Sequence, residues 1–202
     1  MGGVILHTFA SAIRYGPPMT IADALGPLRR LLPVPKLDGS RNLMRQAWDF
    51  LSVVPGGKTL FSRLIAAMAP YSGTIHAHVE VLRPGYCEAR MADRRAVRNH
   101  LDCVHAIALA NLAELAGNVA LAYSLPDDAR FIVSGMEIEY TKKARGTITA
   151  VGEPPVPRSS TRAAYEVPVT LRDGTGEQVA RAVLHSLVGP KPGSSSDRGD
   201  VN

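Results

Sequence analysis

The sequence predicts an α+β domain in which an antiparallel sheet wraps around one long central helix, with further helices on its N-terminal side. The stretch from Asn99 to Ala122 is apolar on nearly every side from residue 106 onward, which is typical of a buried helix. The segments on either side of it alternate apolar and polar residues with period two, which is typical of half-buried strands. One helix between a strand pair and a run of four strands favours a sheet folded around that helix.

We assign residues 1–70 to an N-terminal extension that carries helices. Prolines interrupt its first part, although Thr20 can cap a short helix that ends at Leu32. Apolar residues then recur at helical spacing over residues 42–54, and a Pro-Gly-Gly sequence ends that pattern. A second helix follows, with Thr59 as its predicted N-cap.

Residues 71–189 form the predicted sheet domain, and residues 190–202 are polar and predicted to be a disordered tail. His76 and His78 lie on one face of the first predicted strand, as two metal ligands would. No third ligand follows at a fixed spacing, so a solvated strand face is the favoured interpretation. The predicted strands cover residues 75–81, 86–91, 131–141, 147–151, 163–171 and 178–188.

Composition narrows the function classes. The chain has 202 residues, 46% hydrophobic and 20% charged, which is ordinary for one soluble domain. A net charge of +5 suits an anionic ligand, but scattered basic residues and 5% aromatics argue against nucleic-acid binding. Cys87 and Cys103 form neither a disulfide framework nor a zinc pattern. We therefore expect a cytoplasmic protein without a metal and without a nucleic-acid or membrane partner.

The central helix carries three polar residues within its apolar sequence. Asn111, Glu114 and Asn118 are spaced by three and four residues and line one face. A carboxylate inside a buried helix is costly unless it is paired or used in chemistry, which singles out Glu114. A narrow solvent-exposed stripe is the alternative interpretation of the same pattern.

The start of this helix supplies candidate catalytic groups. The backbone N–H groups of Ala106 and Ile107 would carry partial positive charge and form an oxyanion site. His105 and Glu114 are nine residues apart, which places them on opposite sides and about 13 Å apart along the axis. They cannot meet within one copy, so we expect a dimer in which a carboxylate faces the oxyanion site and activates water. Asn99 can orient the carbonyl or the water.

These residues carry a resemblance to a known superfamily. In hotdog-fold thioesterases an Asn or Gln precedes a His-Gly-Gly segment, and an Asp or Glu follows on the helix. Asn99, His105-Ala106-Ile107 and Glu114 match that pattern at its spacing, with Ala-Ile in place of Gly-Gly. EYTKKARGTITA and YEVPVTLRDGTGEQVARAVL are similar to its basic turn-and-glycine strand and its last hairpin. From Gly73 to Val188 the chain most resembles small acyl-CoA thioesterase-like proteins of the phenylacetate-pathway type and their poorly characterised bacterial relatives.

The resemblance implies a hotdog fold and hydrolysis of acyl-CoA or acyl-carrier thioesters, without a cofactor, by a homodimer or a tetramer. It also implies that coenzyme A lies at the dimer edge, with Lys142, Lys143 and Arg145 as phosphate contacts. A solvated turn is the alternative interpretation of these three charges. Two other functions remain open at this stage, namely a non-catalytic acyl- or acyl-CoA-binding hotdog protein and a hotdog dehydratase or hydratase.

Cys103 offers a different chemistry near the same helix start. A cysteine can act as the nucleophile in acyl transfer when an imidazole removes its proton, and His105 or His100 could serve as that base. A buried cysteine that only packs is the simpler interpretation.

Overall fold

The computed structural model describes residues 40–192. The predicted helix between Thr20 and Leu32 lies outside that range, as do residues 193–202 of the predicted tail. The helices are α1 Leu43–Leu51, α2 Gly57–Met68, the short α3 Pro70–Gly73 and α4 Ala106–Ser124. The strands are β1 His78–Arg83, β2 Tyr86–Met91, β3 Ala129–Tyr140, β4 Ile148–Gly152, β5 Ala163–Arg172 and β6 Gln178–Pro190. A 3₁₀ turn, Arg95–Val97, lies between β2 and α4.

The predicted α+β architecture is confirmed. Six strands form one sheet in the order β1-β2-β4-β5-β6-β3, and every neighbouring pair is antiparallel. Helix α4 contacts all six strands, so the sheet curves around it. This helix is long and apolar enough to cross a membrane by length and composition alone, but 67% of an 18-residue stretch of it is buried inside the protein. Its apolar character therefore reflects the core that it fills.

The second helix begins earlier than predicted. Gly56, with a φ of 75°, occupies the N-cap position, and α2 starts at Gly57. Thr59 lies within the first turn, where its hydroxyl is 3.2 Å from Nε2 of His78. The prediction that Thr59 caps this helix is wrong because a left-handed glycine turns the chain directly into it.

The first strand also differs from its prediction. It begins at His78, because α3 precedes it and His76 has a φ of 51° outside the strand. Pairing with β2 shifts register between Val79 and Val81, so Val81 is 38% exposed while Leu82 is buried. His76 and His78 therefore do not share a strand face. Within residues 40–192 no group of three metal-binding side chains occurs.

The last strand extends one residue past the predicted domain boundary at 189. Pro190 is buried and pairs with Ala129 of β3. The N–H of Lys191 donates to the carbonyl of Asp128 at 2.7 Å. The sheet domain therefore includes these residues.

Helix α1 holds the C-terminal end of α4. The side-chain amide of Asn42 donates to the carbonyls of Ala122 at 2.7 Å, Tyr123 at 3.3 Å and Leu125 at 3.0 Å. Arg45 adds a donor to the Tyr123 carbonyl at 3.2 Å and places a positive charge at the negative end of the helix dipole. The N-terminal extension is thus part of the folded unit from residue 42 onward.

Candidate active site

The first turn of α4 has one open backbone donor. His105 is the N-cap in an extended conformation, and its Nδ1 accepts the N–H of Ile107 at 3.1 Å. The carbonyl of His105 accepts the N–H groups of Ala108 and Leu109. The N–H of Ala106 has no acceptor among the described residues. Of the two N–H groups predicted as an oxyanion site, only that of Ala106 is therefore without an acceptor in residues 40–192. Because Nδ1 of His105 is an acceptor, a neutral ring carries its proton on Nε2.

Two backbone hydrogen bonds fix this helix start to the rest of the domain. The N–H of His105 donates to the carbonyl of Val97 at 2.8 Å, and the N–H of Val104 donates to the carbonyl of Ala144 at 2.9 Å. The open donor of the first turn is therefore held by neighbouring segments on both sides.

The segment before the helix is a tight loop organised by Asn99. The N–H of Asn99 donates to the carbonyl of Cys103 at 2.9 Å, and Asp102 adopts a φ of 52° to close the loop. The side-chain oxygen of Asn99 accepts the N–H of Leu101 at 2.9 Å and the thiol of Cys103 at 3.3 Å. Its Nδ2 group makes no hydrogen bond with the described part of the chain, so this side chain presents a donor.

A pocket of about 360 Å³ lies beside this loop and the helix start. It brings together Asn99, Ala106, Lys142 and Lys143, four of the residues predicted for the site. Tyr140 forms part of the wall, and its hydroxyl donates to the carbonyl of Ala106 at 3.1 Å. We name this cavity the lysine pocket. Its other lining residues are Leu101, Cys103, Val104, Leu109, Thr141 and Ala144.

The predicted phosphate contacts differ in their surroundings. Lys142 is engaged by two carboxylates, those of Asp173 at 3.2 Å and of Glu177. Hydrogen bonds from the side chain and backbone of Thr175, followed by the contact with Lys142, hold the pKa of Asp173 below its usual range. Lys143 makes no ion pair within residues 40–192, and it lines the same pocket. Lys143 is therefore the less neutralised cation.

Arg145, the third predicted contact, is exposed and does not line the lysine pocket. The neighbouring turn is fixed by Asp93, which accepts the N–H of Gly146 at 2.9 Å and the guanidinium of Arg98 at 2.7 Å. The hydrogen bond from Arg98 is the main reason why the pKa of Asp93 lies below its usual range. Arg145 is thus near the pocket in sequence without belonging to its wall.

A second cavity of about 190 Å³ lies on the other side of the helix start. His105, Ile107 and Asn111 line it, so the two cavities flank the same first turns of α4. Asn111 is buried and donates from Nδ2 to the carbonyl of Tyr71 at 3.2 Å. We name this second cavity the side cavity. Its remaining wall consists of Tyr71, Thr74, Ile75, Ala96, Val97, Arg98 and Ala108.

Glu114 lies apart from both cavities. It is half-buried and makes no hydrogen bond or ion pair with any residue that the structure describes. Eight residues separate it from Ala106, a distance of about 12 Å along the helix. Within a single chain the structure therefore groups Asn99 with Ala106, but it does not bring Glu114 to them.

The contacts of Cys103 disfavour the nucleophile interpretation. Its thiol donates to the amide oxygen of Asn99, and Nδ1 of His105 already accepts a backbone N–H.

Tyr140 and Asp173 also contribute to the site, although the sequence did not predict a role for them. Tyr140 donates to the carbonyl of Ala106, and Asp173 accepts from Lys142. Each contact joins residues 31 or more positions apart, for which no local sequence signal exists.

Comparisons with known proteins agree with this architecture. A family model described as a domain of unknown function (DUF4442) matches residues 57–188. No curated protein matches the chain. A crystal structure from structural genomics is 34% identical, covers 74% of this chain and 98% of its own, and superimposes with a TM-score of 0.63.

Two further solved structures carry names that refer to an activity. A Pseudomonas aeruginosa protein of unknown function, described as a probable thioesterase, is 26% identical over 68% of this chain and 97% of its own, with a TM-score of 0.59. A Haemophilus influenzae thioesterase is 15% identical over 66% of this chain and 90% of its own, with a TM-score of 0.57. At 15% identity the likeness shows the fold alone.

Proposed function

The chain belongs to the DUF4442 family and has the hotdog fold of thioesterase-family proteins, and from that membership we propose that it hydrolyses thioesters. The names of structurally similar proteins support a thioester hydrolase in general. Our finer proposal is that the substrate is an acyl-CoA or an acyl-carrier thioester and that the reaction occurs between two copies of the chain. Cytoplasmic location stays a prediction.

One observation carries this proposal: two residues that have unused donors line the same lysine pocket. The N–H of Ala106 and Nδ2 of Asn99 both belong to residues that line it, and neither donor has a partner in the described range. A thioester carbonyl gains negative charge when it is attacked, and fixed donors aimed at that oxygen stabilise the transition state. Lys143 on the same wall suits the phosphates of coenzyme A.

The two cavities suggest how a thioester would lie across the helix start. With its carbonyl at the N–H of Ala106, the coenzyme A portion would extend along the lysine pocket. The acyl portion would then extend toward the side cavity, which Ile107 and Asn111 line. The small volume of that cavity, about 190 Å³, favours short acyl groups.

A second copy is needed because Glu114 cannot reach a carbonyl held at Ala106 of its own helix, about 12 Å away. An unpartnered, half-buried carboxylate is costly in isolation and becomes useful when a neighbouring molecule places a helix N-terminus against it. We therefore propose that each site combines Asn99 and Ala106 from one copy with Glu114 from the other.

Strand β3 is suited to hold the two copies together. It has 12 residues, lies at the edge of the sheet and pairs only with β6 among the described strands, so its other side presents free backbone groups. Arg130 near its start and Glu137 and Glu139 near its end lie on one face, as their pairing with alternate β6 residues shows. Antiparallel self-pairing of β3 would place Arg130 beside the glutamates of the other copy.

In the proposed reaction, water attacks the thioester and a single residue, Glu114, accepts and returns the proton. Glu114 of the second copy takes a proton from water, and the water oxygen attacks the thioester carbon. The N–H of Ala106 and Nδ2 of Asn99 stabilise the resulting oxyanion. The carbon–sulfur bond then breaks, and the thiolate takes the proton back from Glu114, which releases the free acid and the thiol.

Hydrolysis of a panel of acyl-CoA thioesters by wild type and by Glu114→Gln tests this proposal. Gln keeps the shape of Glu but cannot accept a proton, so the rate should fall by about a hundredfold or more, the scale of a general-base contribution. Glu166→Gln is the matched control, because Glu166 is exposed on β5 and lies away from α4. Equal rates in Glu114→Gln and wild type would contradict the assignment.

The same panel distinguishes hydrolysis from the closest alternative, an acyl-binding protein without catalytic activity. If wild type binds acyl-CoA thioesters without releasing free thiol, the chain is an acyl-binding protein and the proposal fails. Light scattering of the same sample should give a particle of at least twice the 21.6 kDa chain mass. A monomer at micromolar concentration that still hydrolyses thioesters would contradict the shared site.

A further inference from the structure

The side chain of Asn99 can act as a donor to substrate only if its amide keeps one orientation. An asparagine amide presents an acceptor on one side and a donor on the other, and a rotation of 180° exchanges them. In this loop the oxygen faces two donors, the N–H of Leu101 and the thiol of Cys103. Rotation would place the NH₂ group against both donors, so these contacts fix the orientation of the amide.

Cys103 is placed to contribute to this orientation. It is 4% exposed, it lines the lysine pocket together with Asn99, and its own carbonyl accepts the N–H of Asn99. The same residue therefore contacts both the backbone and the side chain of Asn99. A cysteine that only filled space would not need its thiol within 3.3 Å of that amide oxygen.

We propose that Cys103 is a positioning residue, which acts through Asn99 by holding the amide so that Nδ2 points at the thioester carbonyl. This inference rests on the proposed hydrolysis. Cys103 itself takes no part in bond making; its thiol donates to the amide oxygen of Asn99. Loss of the thiol should weaken stabilisation of the oxyanion while leaving the ground-state contacts of the substrate in place, so kcat should fall and KM should change little.

Kinetics of substituted proteins test this role. Cys103→Ala should lower kcat about fivefold, the effect of one neutral hydrogen bond, and Cys103→Ser should restore most of the loss because a hydroxyl is also a donor. Cys87→Ala is the matched control, since Cys87 is fully buried in β2 and has no contact with Asn99. It should lower the melting temperature without lowering kcat.

Coupling between the two side chains distinguishes positioning from general destabilisation. Asn99→Ala should lower kcat by roughly a hundredfold, the effect of losing one oxyanion donor, and adding Cys103→Ala should cause no further loss, because the thiol then has no amide to hold. Independent effects that multiply would overturn the proposal, as would a Cys103→Ser variant as slow as Cys103→Ala.

A measurement without turnover separates this inference from the proposed function. The Asn99 side-chain ¹⁵N–H signals of the intact protein should be sharp in wild type and in Cys103→Ser but shifted or broadened in Cys103→Ala. Unchanged signals in Cys103→Ala would overturn the positioning role even if thioesters are hydrolysed. Absence of hydrolysis in wild type with the expected signals would instead contradict the proposed function and leave the orientation of Asn99 established.

Discussion

Asn42 lies near the start of the described residues, yet its replacement should strongly destabilise the protein. Its side-chain oxygen accepts the N–H of Arg45 at 3.1 Å and so caps α1. Its amide donates at 2.7 Å to the carbonyl of Ala122 in the last turn of α4. The residue that would normally donate to that carbonyl is at position 126, and Pro126 has no N–H. Asn42 supplies the missing donor.

The expected cost follows from these two roles. Loss of an N-cap costs about 1 kcal/mol, and a buried carbonyl left without a donor costs about 1–3 kcal/mol. Asn42→Ala should therefore lower the free energy of unfolding by about 2–4 kcal/mol. In a chain of this size that corresponds to a fall in melting temperature of roughly 5–15 °C. Circular dichroism at 222 nm during heating, together with urea unfolding, measures both quantities.

A second variant separates the two roles of Asn42. Asn42→Asp keeps the capping oxygen of α1 but loses the donor, and it puts a negative charge at the negative end of α4 and beside Asp127. At neutral pH it should destabilise the protein at least as much as Asn42→Ala. An Asp variant close to wild type, or an Ala variant that loses less than about 1 kcal/mol, would refute the reasoning.

Two further predictions concern the turn and the pocket beside the helix start. Because the hydrogen bond from Arg98 lowers the pKa of Asp93 in the folded state, its stabilisation is fully present above the ordinary carboxyl range and is lost as pH falls below about 4. Asp93→Asn should lower the free energy of unfolding at pH 7, and that free energy should then depend less on pH below about 4. An unchanged pH dependence in the variant would contradict this. Lys143→Gln should raise KM for CoA thioesters more than Lys142→Gln, because two carboxylates already neutralise Lys142, and added salt should reduce the difference. A larger effect of Lys142→Gln would show that substrate displaces its carboxylates.

Local patterns in the sequence predicted the elements that depend on burial. The apolar run predicted α4 within a residue of its start, and alternation predicted Tyr86–Met91 as a strand with its observed bounds. The start of α2 could not be predicted in this way. A Cβ at Gly57 would lie 1.8 Å from the carbonyl oxygen of Leu51, so contact between two helices sets that boundary. Capping rules, which are local, pointed instead to Thr59.

In the candidate site, too, the sequence predicted some features, and others depend on side-chain conformation or on distant contacts. Residue types and spacing predicted that Asn99 and Ala106 act together, and the structure places both on one pocket. The sequence could not show that the His105 ring occupies the N–H of Ile107, since that depends on a side-chain rotamer. It also could not show that the carbonyl contacts of Asn42 lie 80 or more positions away in the chain.

Ala106-Ile107 stands where the hotdog thioesterase pattern that this chain resembles has Gly-Gly, and the difference has a specific consequence in this geometry. The N–H of Ile107 is used by His105, so the side chain at 107 removes no donor from the lysine pocket. That side chain is 55% exposed and lines the side cavity, where we propose that the acyl group lies. Ile107 should therefore limit the size of the acyl group without affecting the binding of coenzyme A. Ile107→Gly should raise kcat/KM for longer or branched acyl-CoA thioesters several-fold relative to acetyl-CoA, because it opens that cavity. A uniform loss for all acyl groups would place Ile107 at the oxyanion site instead.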